Sequence, residues 1–176
     1  MNTMALWYAA RATGIVSLLL LTASVVLGIL GRLGVSTPGW PRFAIASVHR
    51  NIGLLTVSFL AVHIGSSVID AYAGISWLDA IVPFGSVYRP FWLGLGAVAF
   101  DLMIALIATS LLRPRINARL WRAVHWTSYL CWPVAMIHSL GTGTDTSGWA
   151  LIVELSCLAA VGAAGLGRIA ANGRTT

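Results

Sequence analysis

The sequence contains no lysine, and its two cysteines form neither a C-x-x-C nor a C-x-x-C-H pattern. That absence argues against a thioredoxin-like dithiol, a cysteine-based zinc site, an iron–sulfur cluster and a covalently attached c-type haem. Cys131 and Cys157 each lie inside an apolar run and read as small packing residues. Charge is scarce: Asp, Glu, Lys and Arg together make up 9% of the chain, against 58% hydrophobic residues. A soluble fold of 176 residues could not hide that much apolar surface, so the chain reads as an integral membrane protein. No G-x-G-x-x-G or other nucleotide-binding module is present. The eleven basic residues are all Arg. They collect at the ends of the apolar runs rather than on one face of a soluble fold, which excludes a nucleic-acid-binding role.

What is present is a set of five apolar runs of spanning length, roughly 6–30, 43–70, 90–112, 120–140 and 148–169. They predict an all-α bundle of five transmembrane helices, a single membrane domain over 1–176 with no soluble FAD or NAD(P) domain and no internal repeat. The first run is too long for a signal peptide, and no small-residue cleavage site follows it. Nine of the Arg (Arg32, Arg42, Arg50, Arg113, Arg115, Arg119, Arg122, Arg168 and Arg174) fall in two connections and the tail, none of which contains an acid. The opposite side carries Arg11 and Arg89 together with Asp70, Asp79 and Asp145. The positive-inside rule then puts the N-terminus outside and the C-terminus in the cytoplasm of a multi-pass cell-membrane protein. Trp7, Trp92 and Trp149 fall at the outer interface and Trp40 and Trp121 at the inner one, as an aromatic belt requires. The outer connection from Ala71 to Arg89, with its ISWLDAIVPF segment, is too long and apolar for a simple turn; it lies in the interface or covers something.

The chain has four histidines. His49 and His63 flank the apolar stretch VHRNIGLLTVSFLAVHIG. They are fourteen residues apart, about 21 Å along a helix and roughly 40° short of whole turns, so both imidazoles point to one face. His125 and His138 lie in WRAVHWTSYLCWPVAMIHSLG. Spans two and four run in the same direction, which places His49 level with His125 and His63 level with His138. Ionisable side chains inside a bilayer are costly and mark function. Two imidazoles facing each other at each of two depths is what a pair of b-type haems requires. A proton relay and a zinc site are the other readings, although zinc is usually four-coordinate and no cysteine or carboxylate completes either pair. One feature runs against the pattern. His125 and His138 are thirteen apart, about 140° off a shared face on an ideal helix, so Pro133 between them is expected to kink the span and re-aim one ring.

The spacings His-x13-His and His-x12-His on two alternate helices resemble those of the ferric reductase-like transmembrane domain. That superfamily includes NADPH oxidases, ferric reductases and the haem-binding subunit of the periplasmic methionine sulfoxide reductase system. The resemblance extends from the RATG of span one to the GTGTDT after His138. It implies two haem b, an inner one on His49 and His125 and an outer one on His63 and His138, and one-electron transfer across the bilayer. Relatives usually carry flavin and nicotinamide domains after the last helix. Here the chain ends at Thr176, so the expected donor is a separate flavoprotein, a free reduced flavin or a quinol, and the acceptor an outer redox partner. Haem propionates would be met by Arg50 and Arg122 near the inner pair and by Arg11 and Arg89 near the outer pair. Asp101 and Glu154, inside spans three and five, could orient a ligand imidazole through its second nitrogen or relay a proton. Trp126, Tyr129, Trp132 and Phe59 fall between the two depths. The runner-up functions are a quinol-linked haem anchor for a partner oxidoreductase and a non-haem proton or metal transporter.

Overall fold

A computed structural model describes residues 3–34, 41–143 and 148–173. Trp40, Asp145 and Arg174, and half of the GTGTDTSG connection, lie outside them. Among the described residues there are six α-helices and one short 3-10 turn, with no strand. They are α1 (Thr3–Leu33), α2 (Arg42–Ile69), α3 (Pro90–Leu111), α4 (Ala118–Trp126), α5 (Ser128–Thr142) and α6 (Trp149–Asn172), with the 3-10 turn at Arg113–Arg115. α1, α2, α3 and α6 are each long and apolar enough to cross a membrane. The protein is a multi-pass integral membrane protein.

Lipid demands that every backbone group be paired within its own helix, and polar side chains must also find partners there. The hydroxyls of these helices do so by bonding back one turn. Thr13 donates to Ala9 O (2.6 Å), Thr22 to Leu18 O (2.8 Å), Thr56 to Ile52 O (2.8 Å) and Thr109 to Ala105 O (2.7 Å). Each hydroxyl is thereby satisfied at no cost to its neighbour helix.

α1 is the hub of the bundle. It packs along α2 on one side and against α5 and α6 on the other, while α3 packs on α5 and α4. Leu18, Leu21, Val25 and Ile29 of α1 meet Met103 and Leu106 of α3, Cys131, Trp132 and Met136 of α5, and Cys157 of α6 in one buried cluster. Both cysteines are free and buried there, as packing residues should be. α2 does not pack extensively on α4 or α5. It faces them across a gap, and that gap is where the histidines point.

The fourth span is not one helix, as the sequence suggests, but two. α4 ends at Trp126 and α5 starts at Ser128. At the joint, Thr127 tightens the turn: its backbone N–H donates to Val124 O (2.9 Å), and its hydroxyl donates to the same oxygen (2.7 Å). Pro133 sits inside α5, and the break lies N-terminal to it. That is the expected side, because proline removes an N–H and crowds the carbonyl four residues earlier.

The 71–89 connection folds back over the end of the bundle. Asp79 accepts from Ser76 N–H (2.7 Å) and Ser76 Oγ (2.8 Å), which fixes one tight turn in the middle of the connection. At its end, Arg89 takes a left-handed conformation (φ 44°) immediately before Pro90, and its Nη1 donates to Gly141 O (2.9 Å) on α5. The connection is therefore tied to the bundle at the helix end where it re-enters the membrane. That end is called the loop side below, and the opposite end the Arg side.

Candidate functional site

Both expected pairs form. The rings of His49 and His125 lie with centroids 6.2 Å apart and planes at 68°. Those of His63 and His138 lie 6.4 Å apart at 81°. Both separations lie at the long end of the range of edge-to-face ring pairs. A metal held by two opposed imidazoles, with metal–nitrogen distances near 2.0–2.1 Å, places the ring centroids about 6.3–6.5 Å apart. The pairing also demonstrates that α2 and the α4–α5 segment run parallel, since the earlier histidine of one meets the earlier histidine of the other. The break at Thr127 brings His125 and His138 to the same partner helix despite their spacing.

The outward nitrogens explain why the rings are held this way. His63 Nδ1–H donates to Ala10 O (2.7 Å), His138 Nδ1–H to Trp92 O (2.8 Å) and His49 Nδ1–H to Ser24 O (3.0 Å). A carbonyl only accepts, so Nδ1 carries the proton in all three and Nε2 keeps its lone pair. A backbone carbonyl on the second nitrogen is the usual way a protein orients an imidazole for ligation. Asp101 and Glu154, expected as alternatives for that task, do not perform it for these three rings. The acceptor is already supplied by α1 or α3 backbone.

Reaching those carbonyls requires each ring to lie against the neighbouring helix, and glycine makes the room. A Cβ on Gly96 would sit 2.6 Å from His138 Cε1, and one on Gly14 would sit 2.9 Å from His63 Nδ1. Side chains do not approach so closely, so glycine is required at both places for the rings to keep their positions.

The loop-side pair opens on a cavity of about 390 Å³. His63, His138, Gly14 and Gly96 form its base, and Ala73, Asp79 and Tyr88 of the 71–89 connection form part of its lid. Arg11 lines the same cavity and lies over the Trp7 ring (5.3 Å). Arg89 has the structural task described above and is exposed.

The Arg-side pair is built differently. His125 Nδ1 is buried without a hydrogen-bond partner among the described residues, and its ring is stacked on Trp121 (centroids 4.9 Å, planes 20°). Trp121 in turn lies under the Arg113 guanidinium (4.4 Å). Arg50 and Arg122, the two guanidiniums expected here, are exposed on the surface. The guanidinium that the geometry brings to this pair is Arg113, through Trp121. Trp121, expected only as part of an interfacial belt, is a neighbour of the site.

Glu154 accepts a hydrogen bond from Ser139 Oγ (2.6 Å), next in the chain to His138, and lines the loop-side cavity. It also lines an apolar groove between α5 and α6 with Trp132, Pro133 and Leu158. Trp132 is buried between the two pairs, six and seven residues from the histidines of its own span, and its Nε1–H donates to Thr22 Oγ1 (2.9 Å). Trp126 and Tyr129 instead turn toward Arg168. Among the described residues no group of three or more His, Cys, Asp or Glu side chains is placed to hold a metal. Each site offers two imidazoles, fewer than the four protein ligands usual for structural zinc.

Residues 13–140, well over half of the chain, match the family described as ferric reductase like transmembrane component. No curated protein and no solved structure matches the chain.

Proposed function

Because the chain belongs to the ferric reductase like transmembrane component family, we propose that this membrane redox module is a di-haem b-type cytochrome that carries electrons across the bilayer. One observation carries the reading: two imidazole pairs, stacked at two depths between the same two spans, each with the ring separation of a bis-imidazole iron centre. Bound there, haem would supply a one-electron couple in each half of the membrane. His49 with His125 would hold one group and His63 with His138 the other. The chain's own contribution is to fix the four rings, exclude water and steer the charge. Ala10, Ser24 and Trp92 carbonyls hold three rings in the ligating tautomer. The buried cluster around Trp132 fills the level between the two pairs with packed side chains. Arg11 would meet a propionate at the loop side.

The protein purified in detergent from haem-replete cells is expected to be coloured. Its reduced-minus-oxidised spectrum should be that of low-spin bis-histidine haem, with two haems per chain by pyridine haemochrome. A monodisperse, colourless preparation would refute the reading and favour a proton or metal transporter.

The nine Arg segregated to one end set the direction. The N-terminus lies outside and the C-terminus in the cytoplasm, so that the His63–His138 pair is the outer one. A reporter enzyme active only in the cytoplasm, fused after Thr176, should be active. Activity only of a periplasm-dependent reporter at that position would invert the assignment. Electrons then enter from a separate flavoprotein or a reduced flavin at the Arg side and leave to a redox partner outside. A second reading, a quinol-linked anchor for a partner oxidoreductase, draws on one observation. Glu154, a protonatable group, borders both the loop-side cavity and the apolar α5–α6 groove.

A further inference from the structure

At the Arg side, three helices converge on one aromatic ring. Arg32, in the last turn of α1, lies with its Cζ 4.7 Å from the Trp126 ring centroid. Arg168 of α6 lies 5.4 Å from the same centroid and 5.8 Å from that of Tyr129. Its Nη1 donates to Tyr129 Oη (2.9 Å), which fixes the guanidinium in place. Two like charges are therefore no more than about 10 Å apart on one indole, within about a Debye length of each other at about 0.1 M salt. An indole face attracts each cation but does not neutralise either. Among the described residues no carboxylate is at hand. The described acids are Asp70 and Asp79 at the loop side, Asp101 midway along α3, and Glu154, fourteen residues or about 21 Å from Arg168 along α6. The arrangement is a cation pair held ready for an anion from outside the chain.

We propose that Arg32, Arg168 and Trp126 form a binding site for the phosphate of an anionic phospholipid. The surroundings choose a lipid over a free ion. Trp126 is 45% exposed and Leu130, one turn deeper, 55% exposed, so that an apolar surface runs from the guanidiniums into the membrane as a bed for acyl chains. Arg offers a phosphodiester paired, charge-assisted hydrogen bonds. Basic pockets between membrane helices are suited to acidic headgroups. Because Trp126 follows His125 directly in the chain, the lipid would brace the short helix that carries this ligand and would tie α1, α4 and α6 together at the Arg side.

The test uses the full chain in a neutral detergent after delipidation. Binding is read by native mass spectrometry and by thermal unfolding with phosphatidylglycerol, phosphatidylcholine or inorganic phosphate. Phosphatidylglycerol is expected to bind at about one tight site per chain and to raise the unfolding temperature, while phosphatidylcholine and inorganic phosphate do neither. The R32Q/R168Q double variant should bind phosphatidylglycerol about tenfold more weakly or worse, as two lost phosphate contacts predict. R115Q/R119Q removes the same charge from exposed positions at the same end and should leave tight binding intact. Should R32Q/R168Q not accumulate, Tyr129→Phe, which frees Arg168 while keeping both charges by removing one part-buried hydrogen bond, should weaken binding by about threefold or more. Equal binding by the two double variants would make the effect a general positive surface and overturn the site. Equal stabilisation by inorganic phosphate would replace the lipid with a free ion. Loss of haem from R32Q/R168Q with lipid binding intact would make a haem propionate the counter-ion, and the proposal would fall.

Discussion

His63→Ala and His138→Ala are each expected to remove the same haem, and His49→Ala and His125→Ala the other. The facing rings leave no alternative pairing. The partner of each histidine is 6.2–6.4 Å away by centroid, whereas the crossed partner is displaced by about 20 Å along the helices. Each single variant should fall from two haems per chain to one, a halving of the Soret absorbance per protein. The two members of a pair should leave indistinguishable residual spectra and the same residual midpoint potential. Cofactor binding stabilises only the folded state, so the comparison is confined to variants that stay monodisperse. Loss of one common haem by His63→Ala and His125→Ala would refute both the pairing and the proposed two-level conduit. With the pairing intact, the His63→Ala protein should still take electrons from a donor at the Arg side but should no longer reduce an external acceptor.

Gly96→Ala should abolish the loop-side haem without touching a ligand. The added methyl would lie 2.6 Å from His138 Cε1 and 2.7 Å from its Nδ1. The ring must therefore shift, which would break its Nδ1–H hydrogen bond to Trp92 O and disturb its placement opposite His63. Inserting even one methyl into such a contact costs about 1–3 kcal/mol when the neighbour cannot yield, and here yielding means giving up ligation. Gly53→Ala is the control. It lies on α2 between the two ligands, and a Cβ there meets nothing within 4 Å. Gly53→Ala is expected to keep both haems and, as a glycine-to-alanine change in a helix, to gain a little stability. Two fully occupied haems in Gly96→Ala with unchanged potentials would show that the helix approach at α3 and α5 is not what positions His138.

Membrane residence was legible in composition, and four of the five expected crossings appear as single helices close to their expected limits. The reason is that lipid leaves the backbone little choice: an apolar run of that length must be helical. The histidine pairs were legible for a related reason. Depth along a helix is nearly linear in residue number, so sequence position places a side chain within a turn of its level. Azimuth is not so simply encoded. His125 and His138, about 140° apart on an ideal helix, both meet histidines of α2 in a span that is broken at Thr127 and carries Pro133. The orienting groups were invisible for another reason. Sequence invites a search for side chains such as Asp101 and Glu154, but the acceptors are the carbonyls of Ala10, Ser24 and Trp92, which any residue could provide.

The sequence by itself determined a helical membrane chain, two levels of paired imidazoles and an excess of Arg at one end, because these follow from hydropathy, rise per residue and charge. Only the tertiary structure decided which backbone faces each ring, which of the many Arg stands near a site, and where glycine makes room. Those depend on how neighbouring helices are rotated and how closely they approach, and packing between helices sets both.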